Sequence, residues 1–514
     1  MQFDPTLLNI GRTKQTFIDD LLIESVENVQ RRWYSPEKAT EPLIQRDRPW
    51  EHIPYFSCNT FQVLKDNQDG LYKCLYTDWE KPQITARDTA VGNSHFNMLY
   101  AESEDGLEWR KPTFDLHPRD GQDTNIVVSD GYDPGLVFDC NESDPQKRFK
   151  MVYTQFLPGG DVEGVKAATS PDLVHWSPME ADPILGRQGS RLDDVVIISY
   201  DPLSRMYIMT TRHYDMYAVK RNLKNPVLGH WTPVTYPSDW RRMNRRRVWQ
   251  AESFDLLHWG EPFCILAPED GTDDLDETFY GLSRYQMGSV TIGFLNTLHQ
   301  TTNTMDVRLV YSRNGKDWHH LNKRQPFLAP GGEPRWDAYM NTIPTAPIEA
   351  GAELHIYHGG AQNHHDWWIT GAREGVRAPE ATDIGLVSYA LGLAKLRMDG
   401  FCALEAIHAR PGIVITRALI SDGTRLLVNA RCRKGGSIQA EIVDVEDNVV
   451  PGFSRQECDA FSTDSVCHTF TWRGKTEIPV ASTVRAQYPH PERDRMRKIR
   501  FYLDTAELFS FRLE

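Results

Sequence analysis

The sequence predicts an all-β protein, a five-bladed β-propeller followed by a C-terminal β-sandwich. Three observations carry this prediction. A turn motif recurs along most of the chain, strand-like runs come in sets before each copy, and helical periodicity is nearly absent.

The motif is Ser103-Glu104-Asp105-Gly106-Leu107-Glu108-Trp109. Its relatives are Ser170–Trp176, Ser253–Trp259 and Ser312–Trp318, and Met398-Asp399-Gly400-Phe401 is a degenerate fifth copy. Asp-Gly or Asn-Gly after an alternating run such as Val307–Tyr311 signals a tight hairpin. Two further strand-like runs precede the later copies, for example Gly135–Asp139 with Phe149–Tyr153 and Val195–Tyr200 with Met206–Thr210. Phe279–Leu282 with Val290–Leu295 and Asn341–Thr345 with Glu353–Tyr357 continue the series. Four strands per repeat around an axis make a propeller blade. Copies lie about 60 to 85 residues apart, beyond the ~40–50 of WD or kelch blades, so long loops are expected.

Phe17–Glu24 reads as a strand before the first blade, placed to close the ring by joining the last one and covering exposed edges. The pattern changes near residue 405. Gly412–Ile415, Leu426–Asn429, Ser437–Val443, Ile499–Leu503 and Leu508–Leu513 alternate without the motif, as in a small sandwich. Residues 1–404 are thus assigned to the propeller and 405–514 to the sandwich.

Composition bounds the function. The 514 residues are 40% hydrophobic and 25% charged, a globular profile. No run approaches the roughly 20 apolar residues of a membrane span, and the N-terminus lacks the features of a signal peptide. The expected location is the cytoplasm. The eight cysteines are scattered with no C-x-x-C pair, which argues against a zinc cluster or disulfide framework. A net charge of −14 argues against nucleic acid or an anionic membrane as partner. Homo-oligomerisation is left open. The run Arg241-Arg242-Met243-Asn244-Arg245-Arg246-Arg247 is either a solvated loop or a lid for an anionic substrate group.

With its repeated S-x-D-G-x-x-W turn, the chain resembles the five-bladed propeller glycosidases: families 32, 43 and 117 and the mannoside phosphorylases of family 130. The family 32 signature W-[MI]-N-D-P-N is missing, so the resemblance is to the scaffold and implies a divergent family. It implies a glycoside hydrolase taking an oligosaccharide substrate at the funnel face of the propeller, where inner strands begin and second strands end.

Those positions carry Trp50-Glu51, Asp130 and Asp133, Asp193-Asp194, Asp276-Glu277 and Trp336-Asp337, a carboxylate in each blade. The second-strand ends add Asp78, Trp79, Gln155, Arg212, His213, His299, His358, His364 and His365. Glycosidic cleavage needs one carboxylic acid to protonate the leaving oxygen and one carboxylate to attack or activate water. Crowded like charges raise the pKa of one member. The resemblance implies Glu51 as base or nucleophile, Asp133 as stabiliser or pKa tuner, and Asp194 or Glu277 as general acid. Trp50, Asp78, Asp193, Arg212, His213, His299, Asp337 and His364 are the expected substrate contacts. No metal ligand spacing is present and no cofactor is expected. Each carboxylate also has a plain structural reading, as a turn cap bonding its own backbone. That reading dominates for the repeated-turn residues Asp105, Asp172, Asp255 and Asp399. Two rivals to a hydrolase releasing a terminal sugar, for instance a furanose, are a phosphate-dependent phosphorylase and a non-catalytic sugar-binding propeller.

Overall fold

The computed structural model describes residues 8–81, 94–156, 162–180, 184–186, 196–202, 204–212, 246–269, 271–372, 376–407, 410–479 and 496–514. Among the described residues the regular structure is almost entirely β-strand, with a few short helical turns. Most of these strands before the C-terminal sheet group into successive antiparallel units, the fourth and fifth of which are joined in one sheet by a single parallel bridge, Met305 to Met340. The first runs Phe61–Lys65, Tyr72–Glu80, His95–Ser103, Ile126–Ser129. The second runs Gly131–Phe138, Phe149–Phe156, Val162–Ser170, with two short outer strands. The third is Val196–Asp201, Met206–Arg212, Val248–Ser253, Phe263–Leu266. The fourth is Glu277–Met287, Val290–His299, Thr304–Ser312 and short outer strands. The fifth is Met340–Thr342, Glu353–Ala361, Tyr389–Arg397, and finally Glu37–Lys38.

Polar clasps join these units in cyclic order. Arg148 of the second unit grips Asp66 of the first through both guanidinium nitrogens, at 2.8 and 2.5 Å. Lys150 of the second donates to the Tyr207 hydroxyl of the third at 2.7 Å. Thr210 donates to the Leu282 carbonyl of the fourth at 2.6 Å, and Ser283 to the Ile343 carbonyl of the fifth at 2.5 Å. The ring returns through Thr345, which donates to the Val63 carbonyl at 2.8 Å, and Tyr357, which donates to the Gly106 carbonyl at 2.9 Å.

The repeated turn is one hydrogen-bonded device used four times. The serine oxygen (Ser103, Ser170, Ser253, Ser312) accepts from the fourth motif residue at 2.9–3.0 Å. Oδ1 of the third residue, Asp105 in the first copy, accepts from the two N–H groups that follow the fourth residue, here Leu107 and Glu108. Trp109, Trp176 and Trp259 return an indole N–H to the fourth residue's carbonyl. That fourth residue is left-handed throughout: φ is 77° at Gly106, 73° at Leu173, 69° at Leu256 and 74° at Gly315. A side chain at Gly106 would collide with the Tyr357 hydroxyl, and one at Gly315 with Arg284. Leu173 and Leu256 accept left-handed strain of about 1–2 kcal/mol. Both are fully buried, which returns roughly 1.5–3 kcal/mol each.

Ring closure differs from the sequence expectation. Phe17–Glu24 does not join the last unit. Ile23–Glu27 pairs instead with Gly412–Thr416, and Val29–Trp33 with Cys402–Ala406. The outer strand of the last unit is Glu37–Lys38, in register with Ala394 and Lys395. The reason lies in burial: Phe17 and Leu22 enter the C-terminal core with Leu426, Trp472 and Phe501. Four of the five short alternating runs expected after residue 405 fuse into two 18-residue strands, Leu426–Val443 and Met496–Leu513, which pair with each other, while Gly412–Ile415 remains in a separate short strand, Gly412–Thr416. Among the described residues no helix is long and apolar enough to cross a membrane, and all eight cysteines are free thiols.

Candidate functional site

Three of the expected inner-entrance carboxylates are held in buried ion pairs within their own units. Glu51 is fully buried. Its Oε2 accepts from the backbone N–H groups of Asp47 (2.9 Å) and Arg48 (3.1 Å), and its Oε1 from the Tyr76 hydroxyl (2.7 Å). Lys111 bonds both oxygens, at 2.7 and 2.9 Å. Glu277 is gripped by both Arg308 nitrogens and accepts from the Asp274 N–H at 3.3 Å. Asp337 is fully buried against Lys38, with Arg335 at 3.2 Å. Burial alone would raise the Asp337 carboxyl, but Lys38 and Arg335 outweigh it and the group is held below its usual range. The backbone N–H groups that bond Glu51 and Glu277 are the turn-cap arrangement, closed here by a cation.

His299 stands beside Glu277, with Nδ1 3.6 Å from Oε1 and Nε2 2.7 Å from Asp306 Oδ2. Burial pulls this imidazole down, yet Asp306 and Glu277 together raise it. His364 packs against the rings of Tyr339 (3.9 Å) and Trp367 (4.1 Å) and is bonded to Glu380. His365 meets Tyr280 edge-on at 4.7 Å. His358 is completely buried against Trp336 (5.4 Å), and burial drives its pKa down to about 3. Trp50 donates its indole N–H to Asn125 at 2.8 Å, and Trp79 packs edge-on to Tyr55 and Trp368. Asp133 is fully buried with φ of 59°, and Asp130 has φ of 56°. Backbone of this kind costs about 1–3 kcal/mol in a residue with a side chain and concentrates at functional sites. Asp193, Asp194, His213 and residues 241–245 lie outside the described residues. Arg212 pairs with Val248 in the third unit. Arg246 stacks on Tyr280 at 4.5 Å.

The groups that reach solvent form a different cluster, on the face shared by the first and second units. Asp78 lies two residues before the end of the second strand of the first unit and is 1% exposed. Its oxygens accept from the His52 N–H at 2.9 and 3.1 Å, and Oδ2 lies 3.4 Å from His52 Nδ1. Burial raises the Asp78 carboxyl, with His52 pulling against it and the Glu51 charge adding to the rise. The His52 imidazole, 44% exposed, is raised chiefly by its bond to Asp78. Its Nε2 lies 3.9 Å from Glu80, itself 41% exposed. Glu80 stands directly opposite His95 across the strand pair. His95 Nδ1 is 3.8 Å from Asp130 Oδ1 in the second unit, whose side chain is 34% exposed. A buried carboxyl, an oriented imidazole and two accessible carboxylates thus run along one seam. Asp78 and Asp130 were named from the sequence, as funnel-face residues. His52, Glu80 and His95 were not, although His52 directly follows Glu51 and Glu80 lies two residues past Asp78 on the same strand face. Among the described residues, no three or more His, Cys, Asp and Glu side chains are grouped to hold a metal ion.

No family model matches the sequence, and no curated protein matches it. Solved structures with a similar chain course include a β-1,2-mannobiose phosphorylase from Listeria innocua in complex with β-1,2-mannobiose. It is 13% identical, with 72% of this chain and 97% of that one covered and a TM-score of 0.43. An N-acetylgalactosamine deacetylase from F. plautii, in complex with blood group B trisaccharide, is 13% identical (72% and 96% covered, TM-score 0.43). A glycosyl hydrolase from Bacteroides ovatus is 14% identical (71% and 94% covered, TM-score 0.42).

Proposed function

We propose that this chain is a carbohydrate-active enzyme, a glycosidase that removes a terminal sugar from a short oligosaccharide at the seam between the first and second units. The observation that carries the reading is His52, exposed on one edge and fixed on the other by the buried Asp78, within reach of Glu80. A buried carboxylate orienting an accessible imidazole fixes its tautomer and favours its protonated form. His52 then donates a proton to the leaving glycosidic oxygen, and an accessible carboxylate, Asp130 or Glu80, activates the attacking water. Positioned proton transfer of this kind supplies about 10²–10⁴-fold in rate. In this reading Glu51, Glu277 and Asp337 are scaffold carboxylates. Asp133, with its left-handed backbone, sets the entry of the second unit three residues beyond Asp130.

The test is turnover of an aryl-glycoside and disaccharide panel by wild type, His52→Ala and Asp130→Asn. At least a 100-fold fall in kcat/KM in both variants, with unchanged thermal stability, supports the assignment. Wild-type-like rates in both overturn it. Turnover that requires inorganic phosphate converts the reaction to phosphorolysis at the same seam.

A further inference from the structure

We infer that a second site, for a small polyanion bearing phosphate or several carboxylates, lies where the last unit meets the C-terminal sheet. A cleft of about 480 Å³ opens there, lined by Tyr34, Ser35 and residues 37–39, by residues of the strand Tyr389–Arg397 and by Phe509 of the strand Met496–Leu513, among others. None of its lining residues belongs to the first or second unit, so it is separate from the His52 seam. Four of the residues lining it are cationic, Lys38, Lys395, Arg397 and Arg431, against two carboxylates, Glu37 and Glu353. This excess occurs in a chain whose net charge is −14.

The cations are fixed in place. Lys38 is anchored by the fully buried Asp337, and Arg431 by Glu507, whose side chain is 1% exposed. Arg397 is committed to Asn429, to the Ala430 and Ser465 carbonyls and to Asp464, and forms a rigid wall. The Arg397 and Arg431 guanidinium groups lie 4.8 and 5.8 Å from the Phe509 ring centre, a cation–π contact that occupies this lining ring. Lys395 is held only loosely, 3.9 Å from Glu353 with both side chains about half exposed. A surface pair of that length is worth little and yields readily to a stronger anion. Arg and Lys N–H groups make charge-assisted bonds to phosphate or carboxylate oxygens, and of the four cations Lys395 is the one whose own pairing leaves it available to do so. The cleft is walled by the ring-closing strand, the last unit and the C-terminal sheet together, so an occupant would tie the three.

The experiment titrates wild-type protein with inorganic phosphate, a hexose phosphate, citrate and a neutral disaccharide by calorimetry, and follows Tm at matched ionic strength. Saturable one-site binding of an anion, with a rise in Tm of about 2 °C, is expected. Lys395→Gln should weaken it about tenfold and Lys395→Glu further, while His52→Ala leaves it unchanged. The stronger of the phosphate ester and the polycarboxylate identifies the ligand's chemistry. No binding beyond that of sodium chloride, or wild-type affinity in Lys395→Glu, overturns the proposal. Loss in His52→Ala would likewise overturn it, because the anion would then occupy the seam.

Discussion

Glu51→Gln separates a scaffold carboxylate from a catalytic one. The Glu51 side chain takes five hydrogen bonds: two from backbone N–H groups on Oε2, one from Tyr76 on Oε1, and one from Lys111 on each oxygen. An amide keeps the shape but turns one acceptor into a donor. Placing the NH₂ at the Oε1 position is the cheaper choice, since the Tyr76 hydroxyl can rotate to accept while the backbone donors keep their oxygen. The remaining cost is electrostatic. Lys111, 5% exposed, loses its buried counter-ion and keeps only the half-exposed Asp47 at 2.7 Å and the Gln45 carbonyl at 2.9 Å. Removing one partner of a buried pair costs about 3–5 kcal/mol. Asp47 places Glu51→Gln near the lower end, about 3 kcal/mol. With an m-value of about 3 kcal/mol/M, the urea midpoint should fall by about 1 M. Lys111→Met alone should cost a similar amount. The double variant should cost less than the sum by about 2 kcal/mol, since it leaves no stranded charge. Activity of Glu51→Gln, assayed well below its melting temperature, should stay within about threefold of wild type. An unchanged urea midpoint with a kcat reduced 100-fold would refute this reasoning and return Glu51 to the chemistry.

Further outcomes follow from other groups. Asp78→Asn removes the chief cause of the raised His52 pKa, so the basic limb of the kcat/KM pH profile should move to lower pH; an unmoved limb would detach His52 from the reaction. His358 titrates near 3 in the fold but near 6.5 unfolded, so it leaves stability untouched above pH 6.5 and erodes it as pH falls from there towards 3. His320, lowered to about 4, acts in the same direction, and His358→Gln should flatten the slope of urea midpoint against pH over that window. Asp337, held below the ordinary carboxylate range by Lys38 and Arg335 despite its burial, stabilises the fold above that range and loses the contribution as pH falls below it; Asp337→Asn should remove this acid limb. Gly106→Ala meets both the left-handed backbone and the Tyr357 hydroxyl and should lower stability by about 2–3 kcal/mol, read by chemical denaturation.

Much of the architecture was legible because it is local. In the first three copies the Ser, Asp and Trp side chains hydrogen-bond within the motif, so their spacing survives in the sequence, whereas Asp399 of the degenerate fifth copy is no turn cap and instead accepts from Lys14, Asn429 and Ser510. Closure was not legible. Glu37–Lys38 is two residues long, with no alternation to read, and its partner is Ala394–Lys395. The apolar Phe17–Glu24 looked the better strand for that edge, but its hydrophobic side chains had a larger core to enter. The same locality explains the site. Acidic residues at inner-strand entrances could be placed by counting strands, but their cations could not. Lys111 is 60 residues from Glu51, Arg308 is 31 from Glu277 and Lys38 is 299 from Asp337. Asp78 could be found by the same counting, whereas the significance of His52 depends on a loop folding back against that strand.

The pairing of residues 23–38 with residues 394–416 has a consequence for how the molecule is made. At about 5–20 residues per second, roughly 20 to 70 s pass on the ribosome between synthesis of Lys38 and of its strand partner Ala394. Throughout that interval the leading segment is an unsatisfied edge, and the Asp337 carboxylate, when it emerges, already has its ammonium partner waiting. The latch therefore sets last. Any nascent chain halted before the final sheet is complete presents open strand edges to chaperones and proteases, so biogenesis rather than the equilibrium fold becomes the vulnerable stage.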